Sequence, residues 1–288
     1  MQQLASDAWE LFKKTWIVYL KLAGLAVAYI FLAILIGVLI VLPISFVVVS
    51  SHFQAFNQMT PFTIATLILF IIWLILFFLS LIVIQIIYPI AGIFILQGKK
   101  ISSLFDLLKA TKPFAWLYFL AVLLSAFFVA GGMVLLIIPG FLITFYFSFV
   151  LYEIVIDEQK VQSALKRSYF LVKNNFWEVL VRLVILEFSI IIVSSILNRI
   201  AGGDWLLSIV RFLFALLASW YARAFVFLLY KELRAKTTLP ERISIQWIWI
   251  VSLIGWGIII LIVVGWGFGL MNASVHPHHM YRTYPGAV

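Results

Sequence analysis

The sequence contains no cysteine. Disulfides, thiolate metal sites and cysteine nucleophiles are therefore excluded as sources of stability or of chemistry. Charge is nearly as scarce: 11% of the 288 residues are Asp, Glu, Lys or Arg, against about a quarter in a soluble domain. A chain so poor in charge cannot clothe a globule in polar groups, so most of its surface must face hydrocarbon. Acids are the scarcest charged group, 11 against 20 basic residues. No polar stretch is long enough to fold as a soluble domain.

What is present is apolar sequence, 65% of the chain, with a mean hydropathy of +1.18. Apolar runs at 22–51, 61–98, 114–138, 141–156, 176–200, 206–230 and 247–272 have the lengths of membrane spans or come close to them. The fold class is all-α integral membrane, with six to seven transmembrane helices and three cytoplasmic amphipathic interfacial helices. The uncertain member is 141–156, short enough that a full hairpin and a re-entrant one both fit. Pro139 and Gly140 precede it, and that pair suits a type II turn. Pro89 is expected to interrupt the long second run. A polytopic domain at 1–246, an additional span at 247–272 and a polar tail at 273–288 complete the division. The first run does not read as a cleaved signal peptide, because Asp7, Glu10, Lys13 and Lys14 precede it and it is longer than an h-region.

The cations are not scattered. Fifteen lie before residue 22 or in the connections 97–113, 157–175 and 231–246, all of which share one side if there are seven spans. By the positive-inside rule that side is cytoplasmic, with the N-terminus inside and the tail outside. The expected location is the cytoplasmic membrane of a bacterium or archaeon. The positive balance is read as affinity for anionic lipid headgroups rather than for nucleic acid, since no water-facing basic surface is evident. Several tryptophans, among them Trp16, Trp116, Trp177 and Trp247, fall near span ends, where an indole prefers the headgroup level.

Three of the basic stretches are amphipathic. In 161–174 the residues Val161, Ala164, Leu165, Ser168, Tyr169 and Val172 share one arc, and Lys166, Arg167 and Lys173 another. Residues 4–16 set Leu4, Ala8 and Phe12 against Lys13 and Lys14, and 101–112 sets Leu104 and Leu108 against Lys109, with Lys112 beyond. Each is expected to lie apolar face down in the cytoplasmic interface. Each also precedes a pair of spans, so the units 1–96, 97–156 and 157–246 form an internal repeat, or else share only the basic character of cytoplasmic loops.

Pro139 and Gly140, the Val155–Glu158 segment VIDE, then Ala164, Leu165, Ser168, Val172, Lys173, Phe176 and Trp177 follow one another in order. From about residue 139 to 180 this resembles the membrane domain found on some bacterial glycerophosphoryl diester phosphodiesterases and also as stand-alone proteins. The resemblance implies an all-helical membrane domain that elsewhere is joined to a catalytic barrel. No part of these 288 residues has the length or polarity of that barrel, so the resemblance implies no phosphodiesterase activity here.

Candidate chemistry is confined to a few polar groups. Glu187 is the one acid deep in a span, roughly 16 Å from its inner end at 1.5 Å per residue. Such a group must be paired, neutral or wet. Arg223 in the next span lies within reach, Arg211 fits less well, and Arg182 is spaced for an i, i+4 pair with Glu178. A Glu187–Arg223 pair reads either as a solute or proton site or as a packing pair. His276, His278 and His279 could hold a metal or simply be solvated tail. Gly131, Gly132, Gly255, Gly257 and Gly265 suit close helix packing. No histidine lies in a span, so intramembrane hydrolase constellations are absent and no catalytic, cofactor or metal residues are assigned. The expectation is a non-catalytic membrane module that contacts lipid or scaffolds a membrane or soluble partner enzyme. The alternative is a small-solute or lipid transporter using Glu187 and Arg223.

Overall fold

A computed structural model of the chain describes residues 2–50, 61–99, 104–135, 137–201, 205–240 and 243–275. The elements are α1 (Gln2–Ser50), α2 (Pro61–Leu96), α3 (Leu104–Leu135), α4 (Ile137–Tyr146), α5 (Val150–Val155), α6 (Val161–Asn174), α7 (Phe176–Ala201), α8 (Trp205–Lys236) and α9 (Gln246–Val275). No strand occurs among the described residues. Among the described residues seven segments are long and apolar enough to cross a membrane: α1, α2, α3, α4 with α5, α7, α8 and α9. Their outer surfaces carry exposed Phe31, Leu76, Phe188 and Leu261, stable only against lipid. His52, Lys100, Arg242, His276, His278, His279 and Arg282 lie outside the described residues.

Helix α1 packs on α2 and α8, α3 packs on α4 and α9, and α7 packs on α8. Where α3 meets α9 the backbones nearly touch. A Cβ on Gly255 would lie 1.8 Å from the Gly131 carbonyl oxygen, and one on Gly131 would lie 2.5 Å from the Ser252 oxygen. Ser252 Oγ and Trp256 Nε1 donate to the Phe128 and Phe127 carbonyls at 3.1 Å each. Small residues here permit the approach that these bonds need. Gly257 and Gly265, by contrast, face open space. The end of α2 is closed by Gly98 at φ +75°, with Lys99 N–H donating to Phe94 O and Gly98 N–H to Ile95 O at 3.0 Å each, a Schellman cap.

Several local expectations are revised. The amphipathic stretches 4–16 and 104–112 are the first turns of α1 and α3, continuous with the spans that follow. Only α6 stands apart as a separate amphipathic helix among the described residues. Its apolar face is not turned to lipid: Ala164, Leu165, Ser168, Leu171 and Val172 are fully buried against protein, with α3, α4, α5 and α7 as neighbours. Pro139 and Gly140 form no turn but sit in the first turns of α4. Proline is tolerated there because the N–H it lacks would have no intrahelical acceptor. Gly140 is needed for contact instead, since a Cβ on it would lie 2.7 Å from Met133 N. Helix α2 runs through Pro89.

The membrane segment that α4 begins is broken at 147–149 and resumes as α5. The break frees backbone groups, and hydrocarbon offers them no partner. Ser168 of α6 supplies it: its Oγ accepts from Phe149 N–H at 3.2 Å and donates to Tyr146 O at 2.7 Å. The serine is completely buried, so one side chain on α6 closes both ends of the gap.

Two measurements check this packing. Ser168→Ala should destabilise the protein by about 1–3 kcal/mol, the usual cost of leaving a buried polar group unmatched. Ser163→Ala, which removes a more peripheral bond to Gln159, should change stability by less than about 0.5 kcal/mol. Titration with denaturing detergent reads both, and equal effects would show that the break does not depend on Ser168. In the same assay Gly255→Ala should cost about 1–3 kcal/mol by overpacking, whereas Gly257→Ala should be neutral or stabilising.

Candidate functional site

The helix break opens onto a cavity of about 730 Å³ bounded by α2, α3, α4, α5 and α8. Its walls include Tyr88, Tyr118, Tyr152, Phe147 and Val226, and its polar groups are Gln85, Ser125, Thr144, Ser148 and Arg223. Thr144 and Ser148 spend their hydroxyl protons on the Gly140 and Phe145 carbonyls at 3.0 and 2.6 Å, which leaves oxygen lone pairs and phenol groups at the wall. Tyr152 is fixed by stacking on Tyr230, with centroids 5.4 Å apart. Gln85, Val122, Ala126 and Thr144 are exposed and belong to the lining, so the mouth lies on the lateral, lipid-facing surface.

Among the described residues of the lining Arg223 is the only charged one, and none is a carboxylate. The guanidinium carbon sits 5.2 Å from the Tyr88 ring centroid, within cation–π range. Tyr88 in turn lies 5.3 Å from Tyr19, which stacks on Trp220 at 4.0 Å. Trp220 is fully buried and its Nε1 donates to Thr15 Oγ1 at 3.0 Å. This ladder ties α1, α2 and α8 together beneath the arginine. Arg223 makes no ion pair with any described residue.

The pairing of Glu187 with Arg223 does not occur. On α7 the bundle-facing residues are Val179 and Leu186, with Leu183 and Ile190 partly buried. Glu187 is one step round from Leu186 and is exposed, while Arg223 points to the opposite side of α8, towards α2. Arg211 is also exposed and donates to Asn198 Oδ1 at 2.7 Å. Arg182 does pair with Glu178 at 2.6 Å, and reaches across to Glu232 of α8 at 2.7 Å. Lys236 joins the same two acids.

A second charged cluster lies under α6. Glu153 of α5 is fully buried, with Arg167 Nη1 3.6 Å away. Arg167 is equally near Asp157, which also receives Arg234 Nε at 3.0 Å. The Glu153 oxygens and the Tyr230 hydroxyl are buried beside one another. Arg167 thus lies between two acids of its own chain, a setting that the amphipathic pattern did not indicate. Lys13, Lys14, Lys109, Lys112 and Lys173 are exposed; Lys13 pairs with Glu10 at 2.5 Å, and Lys173 lies over the Tyr169 ring at 5.6 Å. Lys166 is half-buried in a cleft with Arg167 and Pro240. No group of three or more His, Asp or Glu suited to a metal occurs among the described residues.

The signals for the break and the cavity were weak in the sequence. Ser168 was visible as a polar residue on an apolar arc, and that position is the clue to a buried acceptor. Arg223 was visible as a mid-span cation, but its wall of tyrosines is assembled from three helices that only the fold brings together.

Fold and cavity define a multi-pass, all-α membrane protein with a laterally open cavity holding one unpaired cation. Residues 114–268, more than half of the chain, match the model of a family described as a domain of unknown function, DUF7847. The chain belongs to that family, and the match runs from within α3 into α9. No curated protein matches the chain, and no solved structure does.

Breaking one partner of the α6 cluster gives a direct check. Arg167→Met leaves the buried Glu153 without its nearest cation and should cost about 3–5 kcal/mol. Glu153→Leu combined with Arg167→Met should recover part of that loss in the same unfolding assay. A double variant less stable than Arg167→Met would show that the acid has a role apart from this pair.

Proposed function

We propose that the protein is a non-catalytic module of the cytoplasmic membrane that binds an anionic lipid in the cavity at Arg223. The observation that carries this reading is a guanidinium without a carboxylate, set in an aromatic cavity whose mouth faces lipid. A lone cation there is costly, and an anionic headgroup entering sideways offsets that cost while its acyl chains stay in the bilayer. The phenols of Tyr88, Tyr118 and Tyr152 and the amide of Gln85 add donors suited to phosphate oxygens. The basic connections, concentrated at one end of the spans, support a cytoplasmic N-terminus and attraction to anionic lipid. The non-catalytic part rests on the lack of any histidine or cysteine in the spans. The resemblance to a membrane domain elsewhere fused to a phosphodiesterase supports a service role beside an enzyme.

Native mass spectrometry of the protein released from micelles tests this. Phosphatidylglycerol should bind in preference to phosphatidylcholine, and Arg223→Gln should weaken it about ten- to a hundred-fold, the worth of hydrogen bonds to a charged group. Equal binding of the two lipids, or no effect of Arg223→Gln, would contradict the reading. Arg223-dependent flux of a water-soluble anion through reconstituted vesicles would replace it with the transporter alternative.

A further inference from the structure

Glu187 has no partner among the described residues, yet it sits about 16 Å along α7 from Phe176, counting 1.5 Å per residue. It shares an outward face with Val184, Phe188, Ile191 and Ser195, all of them exposed. A carboxylate at such depth, open to hydrocarbon, is disfavoured and calls for a partner. No described residue of its own chain supplies one. Arg182 is engaged by Glu178 and Glu232, and Arg223 lies on the far side of α8.

A second copy in the same orientation does not supply a free cation either. The pairs Arg182 with Glu232 and Asn198 with Arg211 fix the antiparallel register of α7 and α8. In that register the exposed Arg211 is level with Asn198, eleven residues and about 16 Å beyond Glu187. Among the described residues the one cation level with Glu187 is Arg223, which is recessed in the cavity.

From this charge mismatch we infer that the outer face of α7 is a docking surface for a transmembrane helix of another protein, one carrying a lysine or arginine level with Glu187. The apolar residues around the acid supply the packing surface, and the ion pair sets depth and register. Polar contacts between membrane helices typically do both. This surface lies on α7, apart from the Arg223 cavity, and is independent of the lipid reading.

The absence of native cysteine makes the test simple. A donor dye on Asn174→Cys, an exposed site just before α7, reports energy transfer from an acceptor-labelled synthetic helix in phosphatidylcholine vesicles. One helix is Leu and Ala with a single Lys eleven residues from its labelled end; the other has Leu in place of the Lys. The Lys helix should associate roughly three- to thirty-fold more tightly, the range of single polar contacts in membranes. Glu187→Leu should abolish the preference and Glu187→Gln should reduce it. In dilute detergent Glu187→Leu should melt no lower than the parent, since no described residue bonds Glu187. Equal association of both helices, a preference that survives Glu187→Leu, or a lowered melting temperature would overturn the inference. So would self-association lost with either Glu187→Leu or Arg223→Gln, which would assign the surface to a second copy docking into the cavity.

Discussion

In hydrocarbon a backbone N–H or C=O has no water to fall back on, and this constraint governs the middle of the molecule. The segment running from α4 to α5 would meet it most simply as one continuous helix. It breaks at 147–149 instead, and the break is tolerated because Ser168 Oγ bridges Phe149 N–H and Tyr146 O. That bridge requires α6 to press its apolar side into the bundle, which is why Ala164, Leu165 and Leu171 are fully buried. It also brings Arg167 over Glu153 and Asp157, so that the cations of α6 are divided between pairing with acids and facing solvent.

The same break shapes the cavity. Phe147, Ser148, Val150, Leu151 and Tyr152, all at or beside it, line the wall opposite Arg223. With the break, Tyr152 stacks on Tyr230 while Thr144 remains at the open rim. Arg223 is held from beneath by Tyr88, Tyr19 and Trp220, a rigid base that fixes the guanidinium without neutralising it. An aromatic face attracts a cation but leaves its donors available. This combination of a fixed cation, open donors and a lateral mouth is what the lipid-binding reading draws on.

Much of the architecture could be read from hydropathy, because seven long apolar segments leave few alternatives. The amphipathic pattern of 161–174 located α6, and the small residues Gly131 and Gly255 marked faces for close packing without showing that they meet each other. Rotation about the helix axes was not legible. Helix α7 is apolar on nearly every side, so nothing in its pattern distinguishes the face of Leu186 from that of Glu187, and the pairing with Arg223 followed from depth alone. Pro139 and Gly140 misled for a different reason: both residues suit a turn and an early helical position equally well. The true break, at residues 147–149, contains neither proline nor glycine and owes its stability to a serine about twenty residues away.

Whether the Arg223 cavity is entered from lipid or from water decides between a lipid site and a solute path. Single cysteines at Val122 and Ala126, on the rim of the cavity, can be exposed in turn to a lipid-soluble maleimide and to a membrane-impermeant thiol reagent, with the exposed position Lys173→Cys as the aqueous control. Opening to lipid requires protection of both rim positions from the impermeant reagent and only slow reaction with the lipid-soluble one, because a thiol in hydrocarbon ionises little, while the control reacts quickly with both. Rapid labelling of the rim by the impermeant reagent from either side of the membrane would show a water-filled cavity and contradict the lipid-binding account.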